Sequence, residues 1–186
     1  MDDSATNPIQ PTYYGLVETE QDANLLLDAC FMGALHPVHR GPRHHELPLL
    51  VRSPCAFIYE ENASDIQSWT DGIHWAPVGV CGGFHVEREP GNVNGLFKKT
   101  ITVNVRGVHH LVAYHTAANA LDETLKTPWQ DSDLRIAMLR AELKSKLLVM
   151  YFLTWLYRRG RLTTCSVFRL RRGFSSSRMP SCSASI

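Results

Sequence analysis

Several features of secreted and membrane-spanning proteins are missing from this 186-residue sequence. Its five cysteines are an odd number, and none stands in a Cys-X-X-Cys pair, which favours reduced thiols over a disulfide framework. Residues 1–11 are polar and acidic and do not resemble a secretory signal. The apolar run of residues 147–157 has eleven residues, whereas a helix that spans a bilayer needs about 20. These absences predict an intracellular protein without a membrane span.

Signatures of catalysis and of metal binding are also missing. No nucleophile motif frames any of the cysteines, so we do not expect an enzyme. A zinc site formed by His39, His44 and His45 would have no cysteine nearby in sequence and no standard spacing. A surface whose positive charge grows below about pH 6.5 is the better interpretation of these histidines. We expect neither a metal ion nor another cofactor.

Acidic side chains are missing from one end of the chain. Residues 145–186 carry a net charge of +8, whereas residues 1–144 carry −7. An acidic domain repels phosphates at long range, so it can bind DNA only if its basic groups gather on one face. We divide the chain into a flexible N-terminus (1–11), a domain (12–144) and an apolar segment with a basic Ser/Arg-rich tail (145–186), which we expect to be poorly ordered.

Three interpretations of the last segment stay open. Its arginine clusters at 158–161 and 169–172 are typical of a nuclear localisation signal or a nonspecific DNA clamp. Residues 146–161 would also suit attachment to a membrane surface. The third interpretation is a divergent or misread end of the coding sequence, with no function of its own.

Hydrophobic periodicity predicts a mixture of helices and strands. Thr19 is expected to cap a helix over residues 20–33, with Asp22 completing a capping box. Three prolines and Gly41 make residues 34–48 a loop. Further strands are predicted at 12–18, 55–60, 67–70 and 80–89, and further helices at 116–126 and 132–143.

The clearest local pattern is a hairpin over residues 97–115. Apolar and polar residues alternate along its first half, and residues 106–107 form the reversal. With a two-residue loop, Ile101 faces Val112 on an apolar face, and Lys98 faces His115 on a polar, partly cationic face. We therefore expect one face of the hairpin to pack on the core and the other to carry the function.

Two sequence blocks carry a family resemblance. The first contains Thr12-Tyr13-Tyr14-Gly15, Phe57-Ile58-Tyr59-Glu60 and Trp69-Thr70-Asp71-Gly72, and the second contains Gly95-Leu96-Phe97-Lys98-Lys99-Thr100 and His110-Leu111-Val112-Ala113-Tyr114. In their order and spacing the blocks resemble the WOPR box of fungal transcription regulators over residues 12–144. The resemblance implies an α+β domain in which both blocks intertwine around an antiparallel β-sheet with flanking helices.

The function implied by the resemblance is sequence-specific binding of AT-rich double-stranded DNA. A protein of this kind would act in the nucleus as a transcription regulator of morphology and development, with other transcription regulators as a further class of partner. The candidate DNA-binding residues are Arg40, Arg43, Arg52, Trp69, Lys98 and Lys99.

The candidate residues differ in how directly their chemistry points to DNA. Arginines on the loop that holds Arg40 and Arg43 would suit a narrow AT-rich minor groove. Trp69 is more typical of a core residue that supports loop geometry. Lys98 and Lys99 cannot point the same way on one strand, so at most one of them reaches a given face.

Three positions depart from the family pattern by losing a basic residue. The residue before the first tryptophan is Ser68, the neighbour of Arg40 is Gly41, and the arginine that usually ends the Trp-Ser-Pro-Ser-Arg motif is Gly79. Losing three phosphate contacts would weaken binding at physiological salt by roughly 10- to 100-fold. The rival hypothesis is a protein-interaction module that keeps the WOPR fold and binds DNA weakly or not at all.

Overall fold

A six-stranded antiparallel sheet organises the computed structural model, which describes residues 8–122 and 124–158. The strands are β1 (Tyr13–Tyr14), β2 (Cys55–Glu60), β3 (Ala76–Cys81), β4 (Phe84–Arg88), β5 (Leu96–Asn104) and β6 (Val108–Thr116). The helices are α1 (Glu20–Phe31), α2 (Leu47–Leu50), α3 (Glu61–Ser64), α4 (Ala117–Ala120) and α5 (Ser132–Arg158), and a 3-10 turn at His44–Glu46 precedes α2.

The strand order confirms the predicted intertwining of the two blocks. The sheet runs β1-β2-β6-β5-β4-β3, with every neighbouring pair antiparallel. The first block supplies β1 to β4, and the second supplies the β5–β6 hairpin, which lies between β2 and β4. The predicted α+β class is therefore correct.

Helix α1 begins where the sequence predicts it. The Thr19 hydroxyl accepts a hydrogen bond from the Asp22 amide at 3.2 Å, and the Asp22 carboxylate accepts one from the Thr19 amide at 3.0 Å. This capping box satisfies amides that the first helical turn leaves unpaired. The helix then buries Ala23, Leu26 and Leu27 against the sheet.

The hairpin register differs by one residue from the prediction. Its loop has three residues, 105–107, so Ile101 pairs with Leu111 and Lys98 with Tyr114. Arg106 and Gly107 both have positive φ, at 55° and 124°, and three-residue loops are a common alternative to two-residue ones. The alternation of side chains along a strand does not determine how many residues the loop contains. A change of one residue in the register pairs each side chain with a partner that points to the other face.

The central strands β2 and β6 are largely covered on both faces, whereas Thr102 of β5 stays exposed, so the expectation of one functional face of the hairpin stays a prediction. The helix side, covered by α1, holds Ala56, Ile58, Phe84, Ile101, Leu111 and Ala113. The loop side holds Cys55, Phe57, Tyr59, Val112 and Tyr114, covered by Val38, Leu50, Ile66 and Trp69 from the connecting loops. Because β2 and β6 are largely buried on both faces, the loops, the strand ends and part of β5 are the surfaces left for a partner.

Several predicted boundaries are also corrected. Residues 67–70 form no strand, and residues 80–89 are split between β3 and β4 because Gly82 and Gly83, with φ of 56° and 83°, turn the chain. Among the described residues of 116–126, helix is limited to the four residues of α4, and the first strand is limited to Tyr13–Tyr14. In each case tertiary contacts and positive-φ glycines override local propensity.

The chain separates into two compact units at residues 141 and 142. In the first unit, Asp131 accepts hydrogen bonds from the amides of Asp133 and Leu134 where α5 starts, and Leu134 packs into the helix-side cluster. In the second unit the chain is helical to Arg158 and exposes Leu147 and Phe152. Residues 159–186 lie outside the described part, so the expected order and role of that tail stay predictions.

Over the ranges that the structure describes, no helix is both long and apolar enough to cross a membrane.

Candidate nucleic-acid interface

The loop of residues 67–75 alternates between buried and exposed side chains. Trp69 and Asp71 are buried, whereas Ser68, Thr70 and His74 are exposed. Trp69 belongs to the loop-side cluster, which fixes this loop on that side of the sheet. The loop therefore keeps its aromatic and carboxylate groups inside and presents hydroxyl and imidazole groups to solvent.

The Asp71 carboxylate anchors this loop to two strands. Its Oδ2 accepts a hydrogen bond from Tyr114 OH at 2.7 Å and lies 2.8 Å from Lys98 Nζ. The Trp75 indole donates to Oδ1 at 2.9 Å, and the Trp69 indole donates to Tyr114 OH at 2.8 Å. We call Trp69, Asp71, Trp75, Lys98 and Tyr114 the Asp71 cluster.

The electrostatics of the Asp71 cluster favour a charged pair. Burial alone would raise the pKa of Asp71, but the hydrogen bonds from Lys98, Trp75 and Tyr114 outweigh it and hold that pKa below its ordinary value. Burial and the neighbouring Asp71 carboxylate raise the pKa of Tyr114, so its hydroxyl stays protonated and donates. Lys98 is only 8% exposed, and its charge is neutralised inside the protein.

A second carboxylate, Glu46, organises the preceding loop. Its Oε1 accepts from Arg40 Nη2 at 2.6 Å, and its Oε2 accepts from Arg40 Nη1 and from the Arg43 amide, both at 2.8 Å. The hydrogen bonds from Arg40, with smaller contributions from the amides of Arg43 and Ile9, lower the pKa of Glu46 to about 2. This two-pronged contact holds the Arg40 guanidinium, which stays 22% exposed, in one orientation.

Arg52 lines the same shallow depression as Glu46 and Tyr14, and its side chain is exposed. Arg43 is also exposed. The structure therefore places Arg40 and the Arg43 amide on Glu46, and Arg52 along the same depression.

The Glu46 loop and the loop of residues 67–75 are neighbours. Gly72 has a φ of +77°, and a Cβ at this position would lie 3.2 Å from Leu47 Cδ1 in α2. This close approach joins the arginine-bearing segment to the exposed Thr70 and His74. The two segments together form one candidate interface on the loop side of the sheet.

Lys99 does not belong to this interface. Its Nζ donates to the Val17 carbonyl oxygen at 3.2 Å and lies 5.7 Å from the centroid of the Phe84 ring, on the helix side. Burial lowers its pKa. Adjacent lysines on β5 thus point to opposite sides, as the strand geometry predicts.

Sequence reasoning missed the two carboxylates that organise the interface. The sequence indicates Asp71 first as a turn former and only secondarily as a DNA contact, and it assigns no role to Glu46. A signal was present for Asp71, because Trp69, Asp71 and Trp75 share the inward positions of an alternating segment. A carboxylate on an inward, aromatic-rich face needs a buried partner, and Lys98 supplies it.

Within the described ranges, no three His, Cys, Asp or Glu side chains are arranged to hold a metal ion.

Comparison with known proteins places this arrangement in a family. The model of the Gti1/Pac2 family matches residues 12–93. The global transcription regulator sge1 of Gibberella moniliformis is 28% identical over 208 aligned positions, which cover 75% of this chain and 63% of the relative. The gluconate transport inducer 1 of Schizosaccharomyces pombe is 43% identical over 81 positions, 44% of this chain and 11% of the relative. The chain thus spans less than two thirds of the length of these relatives.

A solved structure extends the match across the sheet. The WOPR domain of Wor1 from Candida albicans, in complex with a 17 bp double-stranded DNA, superimposes with a TM-score of 0.62 at 34% identity. The match covers 68% of this chain and 91% of that domain. The match covers nearly the whole of that domain, and the identity over it exceeds 30%. The chain therefore belongs to the Gti1/Pac2 family of WOPR-type proteins.

Proposed function

We propose that this protein is a nuclear transcription regulator of fungal development that binds AT-rich double-stranded DNA, and that it is not an enzyme. The observation that carries the proposal is the 34% identical match to a WOPR domain solved on DNA, over 91% of that domain. The sequence relatives described above include a global transcription regulator and a gluconate transport inducer.

The loop side is the proposed DNA-binding surface. Arg43 and Arg52 are its exposed cations, and Arg40 is held beside them by Glu46. Flexible arginines inserted into a narrow minor groove favour AT-rich DNA because the potential there is most negative. The neighbouring Thr70 and His74 offer donors and acceptors that could contact base edges.

The number of proposed phosphate contacts is small. Lys98 is paired inside the protein, Trp69 is in the loop-side core, and Lys99 lies on the helix side. Three arginines remain, which corresponds to a salt slope of about −3 in a plot of log affinity against log salt concentration. Binding by the described domain should therefore be weak and should depend less on salt than binding by a strongly basic domain.

The proposal is tested by titrating labelled AT-rich and GC-rich duplexes of equal length with the full chain at three salt concentrations. Tighter binding of the AT-rich duplex is the expected result, with a slope near −3 once residues 145–186 are removed. Equal affinity for both duplexes would remove the sequence-specific part of the proposal. A repeat without residues 145–186 separates the contribution of the basic tail.

A second candidate function is supported by three exposed substitutions. Gly41, Ser68 and Gly79 stand where the WOPR pattern has basic residues, and all three are exposed. A family member that has lost these groups could keep its fold as a protein-interaction module. A folded chain that binds neither duplex at low salt would favour this second function.

A further inference from the structure

We propose that Asp71 is a positioning residue of the DNA interface, and that Lys98 is its internal counter-ion rather than a phosphate ligand. The groups that Asp71 positions are the exposed side chains of Thr70 and His74, which we assign as specificity-determining contacts. This inference rests on the proposed function, since it concerns how the same surface distinguishes DNA sequences.

The first argument is the number of chain segments that meet at one carboxylate. Asp71 receives Lys98 from β5 and Tyr114 from β6, both on Oδ2. It also receives the Trp75 indole and, at 3.2 Å, the Ile73 amide from its own loop. These contacts fix residues 69–75 in one arrangement against the sheet. The positions of the exposed side chains between the anchored residues are therefore fixed as well.

The second argument concerns what Lys98 would lose by contacting a phosphate. Its ammonium lies 2.8 Å from Asp71 and 5.5 Å from the centroid of the Trp75 ring. Moving it to the surface would leave the Asp71 carboxylate charged, buried and without its cation, which costs more than one solvent-exposed phosphate contact returns. Lys98 therefore stays inside when DNA binds.

The third argument is the pattern of exposure along the loop. Thr70 directly precedes Asp71, and His74 directly precedes Trp75. Both Thr70 and His74 are exposed. A hydroxyl and an imidazole can each donate and accept hydrogen bonds at base edges. Because both are held on an anchored segment, less conformational entropy is lost on binding, which favours the duplex whose base edges match them.

The fate of Lys98 can be measured in the unmodified full chain. Amine acetylation followed by mass spectrometry reports how accessible each lysine is, with the exposed Lys126 as the reactive reference. We expect Lys98 to react at least tenfold more slowly than Lys126, both without DNA and with the AT-rich duplex. A Lys98 that reacts as fast as Lys126 in the free protein and becomes protected only by DNA would overturn the assignment.

The positioning role is measured as discrimination, the ratio of affinities for the AT-rich and GC-rich duplexes. Thr70→Ala and His74→Ala should each lower that ratio about fivefold and leave the salt slope unchanged, whereas the control Arg43→Gln should change the slope by about one. An unchanged ratio in both variants would overturn the role given to Thr70 and His74.

A paired substitution separates positioning from folding. Asp71→Asn combined with Lys98→Met removes both charges and keeps similar volumes, so the double variant should fold better than either single variant and keep the wild-type salt slope while losing discrimination. A slope reduced by one in the folded double variant would instead identify Lys98 as a phosphate ligand. If the wild-type chain binds no DNA, the proposed function fails, and the acetylation experiment still decides whether Lys98 is internal.

Discussion

Two carboxylates organise the loop side of this protein, and the cations that they bind differ in solvent exposure. Glu46 holds Arg40 near the surface, where 22% of the arginine side chain stays exposed, whereas Asp71 holds Lys98 with only 10% of its side chain exposed. In the first region the acid orients a cation that DNA can still approach. In the second region the acid removes the cation from the surface. A basic residue in a DNA-binding motif is thus no guide to a phosphate contact until its acidic neighbours are known.

The largest effect that distinguishes these regions is on stability. Lys98→Met leaves a buried carboxylate without its cation and should lower the free energy of unfolding by roughly 3 kcal/mol. Arg40→Met should cost about 1 kcal/mol, because Arg40 is partly exposed and the amides of Arg43 and Ile9 still donate to Glu46 after its loss. Urea unfolding of both variants measures the difference. Equal losses would contradict the contrast between a buried and a partly exposed pair.

The second effect concerns pH and isolates Glu46. Its folded pKa of about 2 lies below the ordinary value of 4.5, so its stabilising contribution is complete above about pH 4.5 and is lost as the pH falls towards 2. Wild type should exceed Glu46→Gln in unfolding free energy by about 2 kcal/mol at pH 6, and the gap should close near pH 2. The partly buried His115, whose pKa is lowered to about 4 by burial and by Lys99, destabilises both proteins equally in acid. A gap that is independent of pH would contradict the low pKa of Glu46.

The third effect concerns the contact between the two loops. Gly72→Ala places a Cβ in a left-handed conformation and 3.2 Å from Leu47, so we expect a loss of about 1–2 kcal/mol in unfolding free energy. Gly33→Ala is the matched control, since Gly33 has a φ of +75° and a Cβ there meets nothing within 4 Å. Thermal unfolding of both variants makes the comparison. An equally stable Gly72→Ala protein would mean that the two loops do not pack as described.

The smallest effects on stability are expected for the proposed phosphate contacts. Arg43→Gln and Arg52→Gln should change the unfolding free energy by less than about 0.5 kcal/mol. Each should reduce the magnitude of the salt slope for DNA binding by about one, whereas Lys99→Gln should leave the slope unchanged. Fluorescence anisotropy at several salt concentrations measures these slopes. A slope altered only by Lys99→Gln would move the interface to the helix side.

Local signals in the sequence predicted the parts of the fold that depend on neighbours along the chain. The Thr19–Asp22 capping box and the alternating pattern of β5 are examples, because each is set by a few consecutive residues. The hairpin register was not predictable, because it depends on a third loop residue. The resemblance to the WOPR box supplied the sheet class and the intertwining, which periodicity alone does not contain.

The candidate site was predictable only in part. The arginines of the loop before β2 stay predicted contacts, proposed because loops with arginine and proline suit flexible DNA contacts. The sequence predicts Lys98 on the surface, whereas the structure buries it beside Asp71. The pairing was not predictable because Asp71 is 27 positions earlier in the chain and meets Lys98 only in the folded sheet. Pairing of buried charges is a tertiary property that one-dimensional spacing does not encode.

The account is tested most directly by mapping backbone amide shifts in solution as an AT-rich duplex is added to the full chain. We expect the changes to concentrate in residues 40–52 and 67–75, with α1 and the surroundings of Lys99 unaffected. Changes centred on α1 and Lys99, or the same small changes throughout the domain, would contradict the assignment of the DNA interface to the loop side.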